Sequence, residues 1–383
     1  MVWQIFSRFL MLGLVSFGGP AAHIGYFRHA FVNELGWLDD KRYASFVALS
    51  QFMPGPGSSQ IGFAVGYHRG GIKGAIAAFI GFTLPSFVLM YLLAVTSAQW
   101  LSHTYFQGVI HGLKLLAVVV VVDAVWTMYN QFCQRKSAKL LMLLSASLIL
   151  CFPSLLMQSA ILLVAALWSA RYLRQDSEPP LAPLKLNYFW LVAFLGLFLL
   201  SLATMNAGGV AQLASDFYRV GSLVFGGGHV VLPLLQASVG DAVSPERFLS
   251  GYALAQAVPG PMFTLATFLG AELWIDNPPL GALVATLAIF LPGFLLMLVT
   301  LSSWDAICQR PYIAAAIAGV NAAVVGFLAA ALYQPVFTSA IVSPIDMACV
   351  LLGYAGLKLF KPSIVLLVLG FAMVGVSMSI WGV

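Results

Sequence analysis

The chain has 383 residues, of which 61% are hydrophobic and 8% charged, with a net charge of +5. Soluble domains contain about 25% charged residues, so this composition lies outside their range and predicts a protein that crosses a membrane many times. The charges are few and lie mostly in loops, which makes nucleic acid an unexpected partner. The four cysteines lie far apart without a Cys-x-x-Cys pair, so neither a disulfide framework nor a metal site is expected.

Long apolar stretches follow one another along the chain, many of them as long as a bilayer core requires. In chain order they cover residues 5–27, 43–66, 71–97, 104–130, 138–171, 188–205, 210–238, 248–275, 280–302, 312–334 and 346–382. Several are broken by glycine and proline. A broken stretch is either a hairpin of two crossings or a re-entrant element, so we predict about 10 to 13 transmembrane segments.

A polar stretch with three prolines, residues 171–185, is the natural joint of the chain. It predicts an N-terminal repeat over residues 1–171 and a C-terminal repeat over residues 210–383. Residues 172–209 would hold the linker and an extra transmembrane helix, because the apolar stretch 188–205 has no counterpart in the first half.

Three motifs of the first half recur in the second half in the same order. They pair residues 17–20 with 225–228, 48–56 with 253–261, and 84–90 with 291–297, at a spacing between 205 and 208 residues. Glycine and proline breaks at matching places in two hydrophobic halves are typical of secondary transporters built from repeats. The sequence therefore predicts an internal duplication of the whole unit.

Basic loops predict opposite orientations for the two halves. The first-half loops that are rich in Lys and Arg are 68–73, 134–139 and 171–185. The second-half counterparts 274–279 and 338–346 contain neither residue, whereas Arg310, Lys358 and Lys361 have neutral counterparts in the first half. Because cytoplasmic loops collect Lys and Arg, we predict an all-α polytopic membrane protein of two inverted-topology repeats, with the N-terminus inside.

The breaks carry the predicted chemistry. The glycines of the first break permit backbone torsions that other residues avoid, and Pro20 suits the first turn of a new helix. Pro56 can begin a helix whose first turn carries Ser58 and Ser59. A helix N-terminus offers free N–H donors and about half a positive charge, which suits an oxyanion. Breaks that only kink packed helices are the alternative, but four breaks in matched pairs favour a shared site.

The predicted substrate-binding residues lie at the breaks and beside them, together with one lysine inside an apolar stretch. They are Gly18, Gly19, Pro20, His23, Gln51, Pro54, Gly55, Pro56, Gly57, Ser58, Ser59 and Lys114 in the first half, and Gly226, Gly227, Gly228, His229, Gln256, Pro259, Gly260 and Pro261 in the second half. Where the first half has Ser58, Ser59 and Gln60 as donors, the second half has Phe263, Thr264 and Leu265. The second break is therefore poorer in donors.

Ionisable groups inside apolar stretches are functional candidates, because lipid does not solvate them. Lys114 either attracts the substrate or extends its ammonium toward the membrane surface. Asp123 either carries a coupling proton or is a structural hydrogen-bonding group. His23 and His229 follow the glycine breaks, where each contacts an anion, relays a proton or packs as a hydrogen-bonded histidine. No catalytic set or metal-ligand spacing occurs, so neither catalytic residues nor a cofactor is predicted.

The motifs resemble those of a known family. Phe-Gly-Gly-Pro-x-x-His at 17–23, Pro-Gly-Pro at 54–56, Phe-Gly-Gly-Gly-His at 225–229 and Pro-Gly-Pro at 259–261 are similar to motifs of the bacterial chromate ion transporters, whose long-chain members have two homologous halves. The resemblance implies a multi-pass protein of the bacterial cytoplasmic membrane that exports chromate, driven by the proton motive force, and so confers chromate resistance. Sulfate is the structural analogue of the substrate.

The expected partners are chromate or a sulfate-like oxyanion, protons or another coupling ion, and membrane lipid, with a homodimer left open. Two alternatives remain at this point. The cargo could be sulfate, molybdate or another anion, or the chain could be a membrane-embedded enzyme or a structural subunit. Against an enzyme stand the lack of an extramembrane domain and of a catalytic cluster.

Overall fold

The computed structural model describes residues 1–100, 103–172, 186–225, 228–301 and 310–381. The first-half helices are α1 (Val2–Val15), α2 (Gly19–Arg28), α3 (Asp40–Phe52), α4 (Gly57–Trp100), α5 (Thr104–Phe132), α6 (Lys136–Cys151) and α7 (Leu155–Tyr172). They are followed by α8 (Tyr188–Ala203), α9 (Gly209–Leu223), α10 (Val231–Val239), α11 (Pro245–Ala257), α12 (Leu265–Leu273), α13 (Pro278–Thr300), α14 (Pro311–Ala331), α15 (Pro344–Phe360) and α16 (Ile364–Trp381).

Shorter helical turns complete the described part of the chain. α2 continues into a π-helical turn at His29–Glu34, and α14 into another at Leu332–Phe337 with one α-turn at Thr338–Ala340. Turns of 3₁₀-helix lie at Gly228–Val230, Gly240–Ala242 and Met262–Thr264. Within the described ranges, six helices are long and apolar enough to cross a membrane, and four shorter apolar helices accompany them. The predicted all-α polytopic architecture is confirmed.

The chain begins with a re-entrant helical hairpin. α2 runs back along α1, because Phe27 packs on Phe9 with ring centroids 5.5 Å apart. At the turn, His23 Nε2 lies 3.1 Å from the carbonyl oxygen of Ser16. At a rise of about 1.5 Å per residue, neither arm reaches across a hydrocarbon core of about 30 Å. The first break is therefore the tip of a hairpin that enters and leaves on one side.

A second hairpin consists of α3 and the first arm of α4, residues 57–69. Phe46 on α3 packs on His68 at the far end of that arm, with ring centroids 6.3 Å apart. The Pro-Gly-Pro motif forms the tip. At Gly70 and Gly71 the backbone leaves helical torsions, and the chain reverses into the long arm of α4, residues 72–100.

The second half repeats this arrangement. α9 packs beside α10, and α11 packs against α12, where a Cβ on Gly251 would lie 2.6 Å from the Phe268 ring. The turn from α12 into α13 brings Gly270 against Gly281, backbone to backbone. Gly66 and Gly74 make the same contact in the first half. These matching contacts confirm two homologous halves.

The long arm of α4 shows that the halves are inverted. Near its start, Gly74 lies beside Ile5, which marks the base of the first-half hairpins. At its other end, the Ser97 hydroxyl accepts a hydrogen bond of 2.7 Å from Arg247 at the base of α11. The two sets of hairpins therefore enter from opposite sides, as an inverted repeat requires.

The hairpin tips meet at mid-depth. Gly260, in the tip between α11 and α12, lies against Ser86 of the long arm, where an added Cβ would be 2.8 Å from Oγ. Ser86 is twelve residues after Gly74 and eleven before Ser97. At a helical rise of about 1.5 Å per residue, this is about 17 Å from either end.

Charge fixes the orientation of this frame. The loops and adjoining helix ends on the Ile5 side include the positively charged residues Lys41, Arg42, Arg69, Lys73, Arg135, Lys136, Lys139, Arg310 and Lys361. Those on the opposite side include Glu246, Glu272 and Asp276, with Arg247 beside them. The positive-inside rule therefore puts the Ile5 side in the cytoplasm. Lys358, which was predicted to lie in a loop, is in the last turn of α15.

Candidate functional site

Two backbone hydrogen bonds cross between the halves at the hairpin tips. The Gly55 N–H donates to the carbonyl oxygen of Val224 over 2.7 Å, and the Gly260 N–H donates to that of Ser16 over 2.9 Å. Gly55 corresponds to Gly260 in the repeat, and Ser16 to Val224. Each Pro-Gly-Pro tip thus caps the helix that ends in the opposite half.

These crossed bonds decide which sign of charge the site favours. Each tip ends one helix and begins another, so it presents both carbonyl oxygens and N–H groups. At the ends of α1 and α9, the carbonyl oxygens of Ser16 and Val224 are occupied by the crossed bonds. The helices that begin at the tips present first-turn N–H groups, which have no partner within the helix, and these ends carry partial positive charge. The geometry therefore suits an anion.

The tips need glycine at their centres. Gly55 has φ of +125° and Gly260 has φ of +107°, a region that other residues rarely adopt. Space is also tight, because a Cβ on Gly55 would lie 2.9 Å from the Cα of Gly293. The glycines are thus required both by torsion and by the close approach of α13.

Gln60 anchors the first-half tip and is not a free donor. Its Nε2 donates to the carbonyl oxygen of Pro54 over 2.8 Å and to that of Gly293 over 3.3 Å. The sequence suggested Gln60 as a donor for the substrate, and that expectation is wrong for its N–H groups. The side chain instead ties the second hairpin to α13.

Unpaired polar atoms gather around the first-half tips. Ser16 Oγ, His23 Nδ1, Ser59 Oγ and Thr83 Oγ1 are buried without a hydrogen-bond partner among the described residues. A buried polar atom left in this way costs about 1–3 kcal/mol. Such groups are normally satisfied by water or ligand, so this cluster marks where a hydrogen-bonding guest would be received.

The matching tip of the second half is apolar. The Met262 sulfur would lie 3.5 Å from a Cβ on Gly19 and 3.3 Å from one on Gly228, so the thioether fills the space between those two breaks. The Thr264 hydroxyl donates to the carbonyl oxygen of Pro261 over 2.8 Å. The predicted shortage of donors on this side thus extends to Thr264, whose hydroxyl proton is already used.

His229 has a different environment from His23. Its Nδ1 lies 3.0 Å from the Tyr252 hydroxyl and 3.4 Å from Nε2 of Gln256. This contact joins the chain before α10 to α11, so it positions the third hairpin against the fourth. Gln51, the repeat counterpart of Gln256, is half-buried on α3.

Several predicted residues lie elsewhere. The structure does not bring Lys114 to the tips, but places it in a cavity of about 230 Å³ between α5 and α11. Asp123 forms an ion pair with Lys358 of α15. Gly226 and Gly227 lie outside the described residues. Pro20 is near Gly228, where a Cβ would be 3.0 Å from the Pro20 ring, so the two glycine breaks do meet.

Two residues near the site were not predicted. Met262 was missed because the sequence does not distinguish a methionine that fills the space between two breaks from one that packs in the core. Arg219 is buried on α9, five residues before Val224, and pairs with Asp216. Its charge inside an apolar stretch was the available signal.

Comparison with known proteins identifies the family. A sequence profile described as "Chromate transporter" matches residues 3–170 and 211–376, most of both halves. The chain belongs to the chromate transporter family. This confirms the resemblance and the assignment as a multi-pass transport protein of the inner membrane.

Individual relatives agree with the family assignment. The chromate transport protein of Cupriavidus metallidurans is 27% identical over 385 residues, covering 97% of this chain and 92% of that protein. That of Pseudomonas aeruginosa is 28% identical over 348 residues, covering 85% and 79%. An uncharacterised transporter of Methanocaldococcus jannaschii is 30% identical over 312 residues, covering 79% and 77%. No solved structure matches the chain.

Proposed function

We propose that this chromate transporter exports chromate from the cytoplasm by alternating access, driven by the proton motive force. Chromate is a tetrahedral dianion that must exchange its water shell for donors from the protein. The four tips supply such donors at mid-depth, where neither membrane face is favoured. Export and proton coupling are what the family resemblance implies.

The observation that carries the proposal is the arrangement of the crossed tips. The carbonyl oxygens of Ser16 and Val224 accept bonds across the halves, while the buried Ser59 hydroxyl has no partner among the described residues. Preformed N–H groups at helix N-termini bind oxyanions without a formal positive charge. Ser58 and Ser59 in the first turn of the α4 arm add side-chain donors.

Alternating access follows from the inverted halves. The hairpins of one half enter the membrane from the cytoplasm and those of the other half from outside. A rocking motion of one half therefore opens access to the site on one side of the membrane while it closes access on the other. The crossed bonds at Gly55 and Gly260 form the pivot of this motion. Met262 fills the space between the glycine breaks, so it must move aside when an anion passes between them.

The test is uptake of labelled chromate into inside-out membrane vesicles with an imposed proton gradient. A hydrogen bond to a charged group contributes about 1.5–3 kcal/mol, so Ser58→Ala combined with Ser59→Ala should raise KM by at least about tenfold. The matched control is Thr264→Val, whose hydroxyl already donates within its own turn. It should keep a KM close to that of the wild type.

Two outcomes would contradict the proposal at different levels. An unchanged KM in the double serine variant would remove the site assignment. Absence of chromate uptake by the wild-type protein with an intact proton gradient would remove the function.

Sulfate or molybdate is the second candidate cargo. The donors at the tips are amides and hydroxyls, which recognise a tetrahedral dianion by shape and charge and not by its central atom. Competition assays decide between them. If sulfate inhibits chromate uptake at far lower concentration than chromate inhibits sulfate uptake, sulfate is the main substrate.

A further inference from the structure

We propose that His111, held by Asp346, binds the coupling proton in a cavity on the outer side of the protein. This inference rests on the proposed proton-driven export and names the site at which the proton enters. It differs from the sequence-based prediction, which assigned that role to Asp123.

The pair joins the two halves of the molecule. His111 of α5 lies with Nε2 2.7 Å from Oδ1 of Asp346, at the start of α15. The second oxygen of Asp346 accepts the N–H groups of Val342 and Ser343 over 3.0 and 2.9 Å. With three donors directed at it, this carboxylate is held in the ionised form. The imidazole is therefore the member of the pair that can take up a proton.

His111 connects this buried carboxylate with the cavity. The side chain of Asp346 is 1% exposed and that of His111 is 28% exposed. A neutral His111 that donates from Nε2 to Asp346 keeps an unprotonated Nδ1, and the ring lines the cavity of about 230 Å³. A hydronium ion transfers a proton to Nδ1, so one O–H bond breaks and one N–H bond forms. The products are water and an imidazolium that keeps its bond to Asp346.

The cavity lies on the side from which protons arrive. Arg247 and Glu246, at the base of α11, line it together with His111. Arg247 also bonds to Ser97 at the outer end of the long arm of α4. Since the opposite face carries the basic loops, this cavity is on the non-cytoplasmic side. An exporter driven by the proton motive force takes its protons from that side.

The charges around His111 are mixed. On its own helix, Lys114 lies one turn further along, with His103 just before the helix. α11 contributes Glu246, and Arg247 is already paired with Glu272. Lys114 opposes a second positive charge, whereas Glu246 favours it.

The remaining helices add little charge near the pair. α15 carries Cys349 next, then Tyr354 and Lys358 further along the helix, while α14 and its following turn carry only Tyr312 and Tyr333. α16 packs against α5 and has no ionisable side chain. Asp346, which contacts the ring, and Glu246, which lines the same cavity, are thus the acidic groups close to His111.

Protonation at this place can reach the substrate site. Asp346 is part of the capping box of α15 with Ser343, so its partner helps to fix where α15 begins. α5 also packs against α11, which leads to the tip at Gly260. His111 therefore changes its charge where α5 of the first half packs against α11 and α15 of the second half.

Asp123 is less suited to the same role. Its carboxylate forms an ion pair with the Lys358 ammonium of α15. Protonation of Asp123 would remove this ion pair between α5 and α15. We therefore assign Asp123 to holding α5 against α15.

The experiment measures proton flux and chromate flux together in proteoliposomes that contain a pH-sensitive dye. His111→Gln keeps an N–H donor for Asp346 but cannot be protonated, so it separates titration from the structural bond. We expect loss of chromate-dependent proton flux and loss of accumulation driven by the pH gradient. The control is His29→Gln, because His29 pairs with Glu34 in an exposed position and should keep the wild-type ratio of the two fluxes.

Other outcomes overturn the inference. The inference is wrong if His111→Gln moves as many protons per chromate as the wild type. It is also wrong if Asp123→Asn loses the chromate-dependent proton flux while His111→Gln retains it. A wild-type protein that exchanges chromate without proton flux also removes the proton site but leaves chromate transport standing. A wild-type protein that moves no chromate removes the proposed function itself.

Discussion

The two halves share one scaffold but not one chemistry. Both contain two re-entrant hairpins, a tight glycine contact into a long helix, and a tip that caps the opposite half. Around the first-half tips, buried polar atoms of Ser16 and Thr83 have no partner among the described residues. The repeat counterparts of these residues are Val224 and Phe290. The duplication thus supplied the geometry twice, while the polar lining comes from the first half.

This difference shows which features of the repeat are structural. Backbone interactions at the tips occur in both halves, because they depend on glycine and proline torsions and on capping of helix ends. Buried hydroxyls without a partner among the described residues occur around the first-half tips. In the second half, Met262 lies beside the glycine breaks instead.

The largest effect is expected at the tips themselves. Gly55→Ala should abolish chromate uptake, because the positive φ costs about 1–3 kcal/mol and the new Cβ would lie 2.9 Å from the Gly293 backbone. Gly260→Ala meets the Ser86 side chain instead, and adding Ser86→Gly should restore part of the uptake. Uptake assays with matched membrane levels measure both.

The tip comparison has a clear contrary outcome. Suppose that Gly55→Ala and Gly260→Ala reduce uptake equally, and that adding Ser86→Gly to Gly260→Ala restores no uptake. The closer backbone packing of the first tip would then not affect transport.

A smaller effect, on stability, is expected for the contacts of Arg247 at the outer end of the long arm of α4. Arg247 bonds to Ser97 and to the carbonyl oxygen of Ala94 and pairs with Glu272. Its repeat counterpart Arg42 has an exposed side chain. Arg247→Ala should lower the free energy of unfolding by about 2 kcal/mol, seen as a lower Tm in detergent. Arg42→Ala should leave Tm unchanged. If the two variants have equal Tm values, the Arg247 contacts do not stabilise the fold.

The smallest effect is expected at the apolar wall. Met262→Ser removes the thioether from between Gly19 and Gly228 and adds a donor, so KM for chromate should fall by about two- to tenfold. Met262→Leu keeps the volume and should behave like the wild type. A KM that rises in Met262→Ser would show that the thioether positions the substrate and does not merely fill the closed site.

Part of this molecule was predictable because it depends on local chemistry. Composition determined that the chain spans the membrane, since about 20 apolar residues per helix can be counted without a structure. The doubled motifs determined the duplication, and the Lys and Arg bias determined its inversion. Glycine and proline also located the tips, because they act on the backbone where they occur.

Only the tertiary structure decided what meets at those tips. The bond from Gly55 to Val224 joins residues of opposite halves, and nothing in either motif specifies the other as its partner. The same holds for Met262 between two glycine breaks, and for His111, whose partner Asp346 lies in the other half. These contacts arise when two inverted hairpin pairs pack against each other. A linear pattern fixes where a helix breaks, whereas packing fixes which break faces which.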